Sequence, residues 1–226
     1  MKVIAHRGVY DNVNVVENTI KSFSLARDKG YDIELDVCLT KDKKLVVFHD
    51  NNMKRLLGVD KKIGDVSYDE IRNKKLLNTN SNIPLFIDVL KCIDGKVPIY
   101  IEVKANTDVL EICDILYEEI KKYQGIYFIQ SFNYKVIKYF KDKGIKSGLI
   151  ITGLKTSYYY KSYLLLYFII KFISPDFLSV SKRCKFLIKR YKNRYPLLVW
   201  TIKDINKITD DSFGYVCDNL LNKKNS

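Results

Sequence analysis

Short apolar segments with strand character alternate with helical patterns along almost the whole 226-residue chain. Strands that alternate with helices favour a parallel sheet, and over this length they favour one closed (β/α)8 barrel of the TIM type. The chain is long enough for one such domain and too short for two, so we predict a single domain over residues 1–226. The nine predicted strands are 3–5, 33–39, 45–48, 98–104, 126–129, 149–151, 177–180, 197–202 and 215–217.

The second and third strands are an exception to the strand–helix alternation. The stretch Ile33–Asp50 carries both strands with only a short polar turn between them. Parallel strands need a connection of about a dozen residues or more, so this pair is predicted to be an antiparallel hairpin. The hairpin absorbs the ninth strand of an eight-stranded barrel. In the short insertion after it, the lysine-rich stretch with Gly58 and Gly64 is interpreted as a loop, and Ser67 with Glu70 predicts a capping box that starts a helix. A turn centred near Asp42 and Lys43 would place Asp36 opposite His49.

Two carboxylates on the first strand of this hairpin indicate a metal site. Glu34 and Asp36 lie two residues apart and therefore on the same face of the strand. Carboxylates this close raise each other's pKa, and a divalent cation with a preference for oxygen ligands removes the conflict. A surface strand with both acids in water is the alternative interpretation.

Both histidines of the chain also stand at predicted strand ends. His6 follows the first strand beside Arg7, His49 follows the hairpin, and Glu102 and Lys104 close a later strand. The carboxyl ends of barrel strands face the active site, so these side chains are predicted to share one mouth with the hairpin acids. This set suits phosphoryl transfer, because cations stabilise phosphate oxygens and imidazoles exchange protons near neutral pH.

The order and spacing of several short motifs resemble those of the glycerophosphodiester phosphodiesterase family. Its fold is a TIM barrel related to bacterial phosphatidylinositol phospholipase C, and the resemblance covers nearly the whole chain. The matching motifs are His6-Arg7-Gly8, Glu17-Asn18-Thr19, Glu34-Leu35-Asp36-Val37, Thr40-Lys41-Asp42, Val46-Val47-Phe48-His49-Asp50, Ile101-Glu102-Val103-Lys104, Ser131-Phe132 and Trp200-Thr201-Ile202.

The resemblance implies a metal-dependent phosphodiesterase that hydrolyses glycerophosphodiesters to glycerol 3-phosphate and an alcohol. It implies that Glu34, Asp36 and Glu102 bind one divalent cation, either Mg²⁺ or Ca²⁺. His6 and His49 become the acid–base pair. Which of the two begins as the base stays open, with a slight preference for His49.

The resemblance also implies roles for residues around the reacting centre. Arg7 and Lys104 match phosphate-binding positions, and Trp200 is expected to wall the substrate pocket. Glu17 and Asn18 match a motif close to the site, and they are expected to order the loop after the first strand without touching substrate.

The stretch Tyr158–Ile173 is apolar nearly all round. A membrane-spanning helix needs about 20 apolar residues, and this one is shorter and interrupted by Lys161 and Lys171. One interpretation is a helix buried against the barrel. The other is a membrane-surface or homodimer contact, because tyrosines and lysines that flank aliphatic residues suit an interface. The formal net charge of +13 favours anionic partners, although scattered lysines also fit a solvated surface.

Three functions therefore stay open. We favour hydrolysis of water-soluble glycerophosphodiesters over the same chemistry on a membrane lipid, as in lysophospholipase D, and over an inactive barrel that binds phosphate or lipid. No nucleic acid partner is expected, since the motifs of the usual binding modules are missing from the sequence. Five widely spaced cysteines without a CxxC pair and no visible signal peptide favour the cytoplasm, with peripheral attachment to the inner membrane face as an extension.

Overall fold

Apolar segments form the strands and amphipathic segments form the helices of this protein, which we describe from a computed structural model. The described residues are 2–105, 108–153, 162–204 and 213–221. The strands are β1 (Lys2–His6), β2 (Asp32–Leu39), β3 (Leu45–Val47), β4 (Ile99–Val103), β5 (Tyr127–Ser131), β6 (Ser147–Ile151), β7 (Phe177–Ser181), β8 (Leu197–Ile202) and β9 (Gly214–Cys217). The helices are α1 (Ile20–Asp28), α2 (Lys54–Leu57), α3 (Tyr68–Ile71), α4 (Phe86–Ile93), α5 (Val109–Ile120), α6 (Tyr134–Asp142), α7 (Tyr163–Ile173) and α8 (Lys185–Tyr191).

Eight strands form one parallel sheet that closes on itself. The order around the ring is β1, β9, β8, β7, β6, β5, β4 and β2, and the pairing of β1 with β2 completes it. The predicted (β/α)8 barrel is therefore confirmed. β3 lies antiparallel on β2, which also confirms the hairpin. All eight barrel strands end at the same mouth, where the active sites of such barrels lie.

The register of the hairpin differs from the prediction. Asp36 lies opposite Phe48 rather than the following histidine, and the Phe48 N–H donates to the Asp36 carbonyl oxygen at 2.9 Å. The Thr40 N–H donates to the Lys44 carbonyl oxygen at 3.1 Å, so the turn contains the three residues between them. Lys43 makes this turn possible with a left-handed φ of 60°. The prediction centred the turn between Asp42 and Lys43, whereas the three-residue turn is centred on Asp42 itself. The residue opposite Asp36 is therefore Phe48 and not His49.

Large apolar side chains fill the interior of the barrel beneath the mouth. The rings of Tyr100, Phe128 and Phe177 pack with centroids between 4.8 and 6.1 Å apart. Gly148 makes room for them, because a Cβ at that position would lie 2.2 Å from the Phe177 ring. Side chains two residues further along each strand share the same face and so lie nearer the mouth. Polar residues of the site lie directly above this apolar layer, as Glu102 follows Tyr100 and Gln130 follows Phe128 by two positions.

The stretch predicted as a loop after the hairpin contains α2 and a turn of 3-10 helix, whereas the helix predicted to start at Ser67 is present as α3. These turns form because Met53, Leu56, Ile63 and Ile71 pack into one apolar cluster with Phe48. The predicted capping box at the start of α3 is present, and the Glu70 carboxylate accepts a hydrogen bond from the Ser67 N–H at 2.8 Å. This compact insertion places α2 beside the mouth of the barrel.

The predicted apolar helix begins at Tyr163 in the described part of the chain. The Ser162 hydroxyl caps its start by accepting a hydrogen bond from the Leu165 N–H at 3.1 Å. Residues 158–161 of the predicted helix lie outside the described residues. Within the described ranges, no helix combines the length and the apolar character that crossing a membrane requires.

Candidate active site

β1 ends in a tight turn that directs the backbone N–H of Arg7 toward the acids of β2. Arg7 and Gly8 have left-handed φ values of 56° and 83°. A Cβ on Gly8 would lie 2.6 Å from the Ser22 hydroxyl oxygen and 2.8 Å from the Ser22 backbone carbon, so only glycine lets α1 approach this closely. The turn positions the Arg7 N–H to donate to Glu34 Oε2 at 3.1 Å.

Three buried carboxylates meet at the carboxyl ends of β2 and β4. Asp36 is the register partner of Glu102 on the adjacent strand, and Glu34 lies two residues before Asp36 on the same face of β2. Glu34, Asp36 and Glu102 each offer an oxygen, and these oxygens lie within 4.8 Å of one another. Burial, followed by the charge of Asp36, raises the pKa of Glu34 to about 8. A cation at this point would relieve that repulsion.

Two cations already touch these acids. Lys104 Nζ lies 2.9 Å from Asp36 Oδ1 and also contacts Glu102, while Arg7 Nε lies 3.4 Å from Asp36 Oδ2. The Asn18 side-chain amide donates to Asp36 Oδ2 at 2.8 Å. Burial acts to raise the pKa of Asp36, but Lys104 and the other nearby cations hold it far below its usual value. Asp36 is therefore ionised and locked in place.

Each histidine has a carboxylate behind its ring. Asp218 Oδ1 lies 2.6 Å from His6 Nδ1, and Asp50 Oδ1 lies 2.7 Å from His49 Nδ1. An ionised carboxylate only accepts hydrogen bonds, so each Nδ1 donates and each Nε2 is left for the pocket that both rings line. Burial lowers the pKa of His6, but the Asp218 hydrogen bond and the charge of Glu34 outweigh it and leave the pKa raised. Both imidazoles are thus oriented for proton exchange at Nε2.

Arg55 of α2 links the support of one histidine to that of Arg7. Its Nε lies 2.6 Å from Asp50 Oδ2, and its two terminal nitrogens lie 2.7 and 2.9 Å from the Glu17 carboxylate oxygens. Glu17 also accepts a hydrogen bond from an Arg7 terminal nitrogen at 2.7 Å. Burial acts to raise the pKa of Glu17, but the Arg55 hydrogen bond and the Arg7 charge lower it to about 2. A continuous chain of charges therefore runs from behind His49 to Arg7.

Two aromatic rings contribute to the remaining wall of the pocket. The rings of Phe132 and Trp200 meet edge to face with centroids 6.2 Å apart. Gln130 Nε2 lies 3.4 Å from Glu34 Oε1 beneath them. The pocket has a volume of about 140 Å³, which suits a small polar group such as a phosphate diester.

All ten residues selected from the sequence lie at this pocket or directly behind it. The pocket is lined by His6, Arg7, Glu34, His49, Glu102, Lys104 and Trp200. Directly behind them lie Glu17, Asn18 and Asp36. The structure shows these positions, and the chemical role of each residue stays a prediction.

Sequence reasoning missed three members of the site. Gln130 was overlooked in favour of Ser131, whose hydroxyl instead donates to the Val103 carbonyl oxygen at 2.8 Å. Strand alternation contained the signal, since Gln130 is the register partner of Glu102. Asp218 follows a strand end in the same way as the other site residues. Arg55 gave no signal, because its position depends on how the insertion packs.

Fold and pocket together define the class of this protein. It is a TIM barrel that carries acids, cations and two histidines in one pocket at the carboxyl ends of its strands. The Glycerophosphoryl diester phosphodiesterase family model matches residues 6–211, and the chain belongs to this family. The resemblance predicted from the motifs is confirmed.

Similar proteins share the sequence to different extents. A glycerophosphodiester phosphodiesterase of Caldanaerobacter subterraneus subsp. tengcongensis is 36% identical over 163 residues, which are 66% of this chain and 65% of that protein. A lysophospholipase D of Rattus norvegicus is 36% identical over 121 residues, which are 47% of this chain and 37% of that protein. The chain thus spans between 37% and 65% of the length of these two relatives.

A solved structure extends the likeness over the whole barrel. The crystal structure of a glycerophosphodiester phosphodiesterase from Thermotoga maritima is 28% identical and has a TM-score of 0.78. The comparison covers 97% of this chain and 95% of that one.

Proposed function

We propose that this chain is a metal-dependent phosphodiesterase that hydrolyses a glycerophosphodiester to glycerol 3-phosphate and an alcohol. The family and the names of its relatives support this activity. The observation that carries the proposal is one pocket with three convergent carboxylates and two histidines whose Nε2 atoms are available.

We propose that Glu34, Asp36 and Glu102 hold one divalent cation, Mg²⁺ or Ca²⁺. Their hard oxygen donors are the ligands that these ions prefer. Among the described side chains in and directly around the pocket, six carboxylates face three arginine or lysine groups, so the site is short of positive charge. A bound cation would supply charge that stabilises the phosphate oxygens.

In this proposal the protein's own residues position the diester and move protons. One imidazole Nε2 takes a proton from the attacking water as the water oxygen bonds to phosphorus, and the other imidazole donates a proton to the alcohol oxygen whose bond to phosphorus breaks. Asp218 and Asp50 hold the two rings in the required tautomer and stabilise the imidazolium that forms. Arg7 and Lys104 bind phosphate oxygens, and Trp200 walls the pocket against the glycerol or the leaving group.

Three further assignments belong to this proposal. Residues 1–226 form a single domain, in keeping with one closed barrel. The protein is cytoplasmic, which its free cysteines in the described ranges support. A lysophospholipid is the second candidate substrate, and the apolar surface described in the next subsection favours it.

Release of glycerol 3-phosphate tests the activity. Glycerophosphocholine, glycerophosphoethanolamine, glycerophosphoglycerol and glycerophosphoinositol are each incubated with Mg²⁺, Ca²⁺ or EDTA. We expect turnover only with a divalent cation, and a decrease of about 10²- to 10⁴-fold in His49→Ala. Circular dichroism confirms that the variant is folded. Turnover that resists EDTA would contradict the metal assignment, and no turnover of any diester would contradict the function.

A further inference from the structure

One face of the barrel exposes an unusual amount of apolar side chain. Leu164, Phe168 and Phe172 on α7 are 66%, 55% and 68% exposed. The opposite side of α7 is buried against the barrel through Leu166 and Ile170. Packing of the helix on the barrel therefore does not explain why the outer residues of α7 are apolar. The α7–α8 apolar face, as we call it, consists of Tyr163, Leu164, Tyr167, Phe168, Phe172 and Phe186. Such a contiguous exposed patch marks an interaction surface.

Positive charge surrounds this face. Between Ser162 and Lys203 the chain has nine basic residues and one acidic residue. The acid, Asp176, is bound by Lys141 and precedes β7, at the end of the barrel away from the pocket. At the mouth end on this side, Lys182, Arg183, Lys185 and Lys203 outnumber Asp204 and Asp218, and Asp218 is paired with His6.

A groove connects the α7–α8 apolar face with the active pocket. Trp200 and Thr201 line both the groove and the pocket. The first turns of α7 and α8 follow β6 and β7, so they lie at the mouth end of the barrel. The groove is also lined by Tyr163, Phe186, Lys182, Arg183, Lys185 and Lys203.

We propose that the α7–α8 apolar face docks onto the surface of an anionic lipid bilayer. Its aromatic and aliphatic side chains enter the interfacial region, and the lysines of the groove contact anionic headgroups. The pocket then opens toward the membrane. A second copy of the chain is the competing occupant, but two-fold pairing through this face would bring two strongly basic segments together.

Vesicle sedimentation tests the docking without reference to catalysis. The full chain is mixed with vesicles of phosphatidylcholine alone or of phosphatidylcholine with phosphatidylglycerol. We expect binding to the anionic vesicles that weakens as salt is added. Lys182→Glu combined with Lys185→Glu should lower the affinity at least about tenfold, and Leu164→Ser combined with Phe168→Ser should abolish binding.

Matched controls replace equally exposed residues at the opposite end of the barrel. Ile126→Ser removes an exposed apolar side chain before β5, and Lys121→Glu with Lys122→Glu reverses two charges at the end of α5. These controls should bind like the unmodified chain. Failure of the unmodified chain to bind anionic vesicles would overturn the proposal, as would a dimer in light scattering that Phe168→Ser dissociates.

The consequence of this docking for substrate choice rests on the proposed function. Two activity measurements distinguish a failure of the docking proposal from a failure of the proposed function. The docking variants should hydrolyse soluble glycerophosphocholine as fast as the unmodified chain. If lysophosphatidylcholine in anionic vesicles is a substrate, its turnover should decrease in parallel with binding. Intact vesicle binding without any hydrolysis would contradict the enzyme and leave the docking in place.

Discussion

The two sides of the barrel mouth use charge in opposite ways. On the side of β1, β2 and β4, buried acids and cations bind one another: Arg7 contacts Glu17 and Asp36, and Lys104 contacts Asp36 and Glu102. On the side of β6, β7 and β8, lysines and large apolar side chains are exposed. The charged groups of the first side contact one another inside the site, whereas the second side offers its groups to a partner.

This contrast has a physical consequence. Hydrogen-bonded charges in a buried site strengthen one another and hold a single geometry, which proton transfer requires. Exposed groups contribute little to folding, so their interactions remain available for association. Substitutions on the first side should therefore affect reaction rate, and substitutions on the outer surface of the second side should affect binding alone.

Asp36→Asn should have the largest effect on the catalytic side. The substitution removes the charge that faces Lys104 and Arg7, and it weakens the proposed cation site. We expect the rate of glycerophosphodiester hydrolysis to decrease by about 10³-fold. Asp32→Asn is the matched control, because the same change at the start of β2 lies at the far end of the barrel. Equal activity losses in the two variants would contradict the assignment of Asp36 to the site.

Two neighbouring leucines of α7 test the other side. Leu166 is 1% exposed and Leu165 is 43% exposed. Leu166→Ala should lower the free energy of unfolding by about 2–5 kcal/mol, because it leaves a cavity against the barrel. Leu165→Ala should lower it by about 0.5 kcal/mol or less. Urea unfolding followed by circular dichroism measures both, and comparable losses would show that the outer surface of α7 contributes to the fold.

Arg55→Gln tests whether the insertion supports catalysis. The change breaks the link between Asp50 behind His49 and Glu17 behind Arg7. We expect kcat/KM to decrease by about 10- to 100-fold, as for other residues that position a reacting group. The pH dependence of kcat/KM should change as well, because Asp50 behind His49 loses its arginine partner. Lys54→Gln, one position earlier on α2 and paired only with exposed Asp60 among the contacts described for it, should change neither quantity.

Asp218→Asn should have a small and pH-dependent effect on the free energy of unfolding. Burial lowers the pKa of His6 and Asp218 raises it, so the substitution should lower that pKa. Because the folded-state pKa of His6 lies above its unfolded value, the pair stabilises the fold at low pH and loses this contribution as pH rises through the folded pKa. The variant should therefore lose about 1 kcal/mol at acidic pH and less at alkaline pH. NMR titration of the His6 ring measures the pKa directly, and an unchanged value would contradict the pairing.

The order of strands and helices and most of the site can be predicted from local sequence pattern. Periodicity depends on neighbours in the chain, and the carboxyl ends of parallel strands meet wherever a barrel closes. For that reason the sequence pattern places His6, Glu34, Asp36, Glu102 and Lys104 in one mouth.

Local sequence pattern does not predict the hairpin register, the place of Arg55 or the exposed side of α7. The register depends on the left-handed Lys43, which residue types alone do not specify. Arg55 reaches Glu17 across 38 positions of sequence because the insertion packs through its own apolar cluster. The sequence of α7 is apolar on both sides of the helix, so the pattern does not show which side is buried. The contact with the barrel decides this. These features come from long-range packing, which local pattern does not encode.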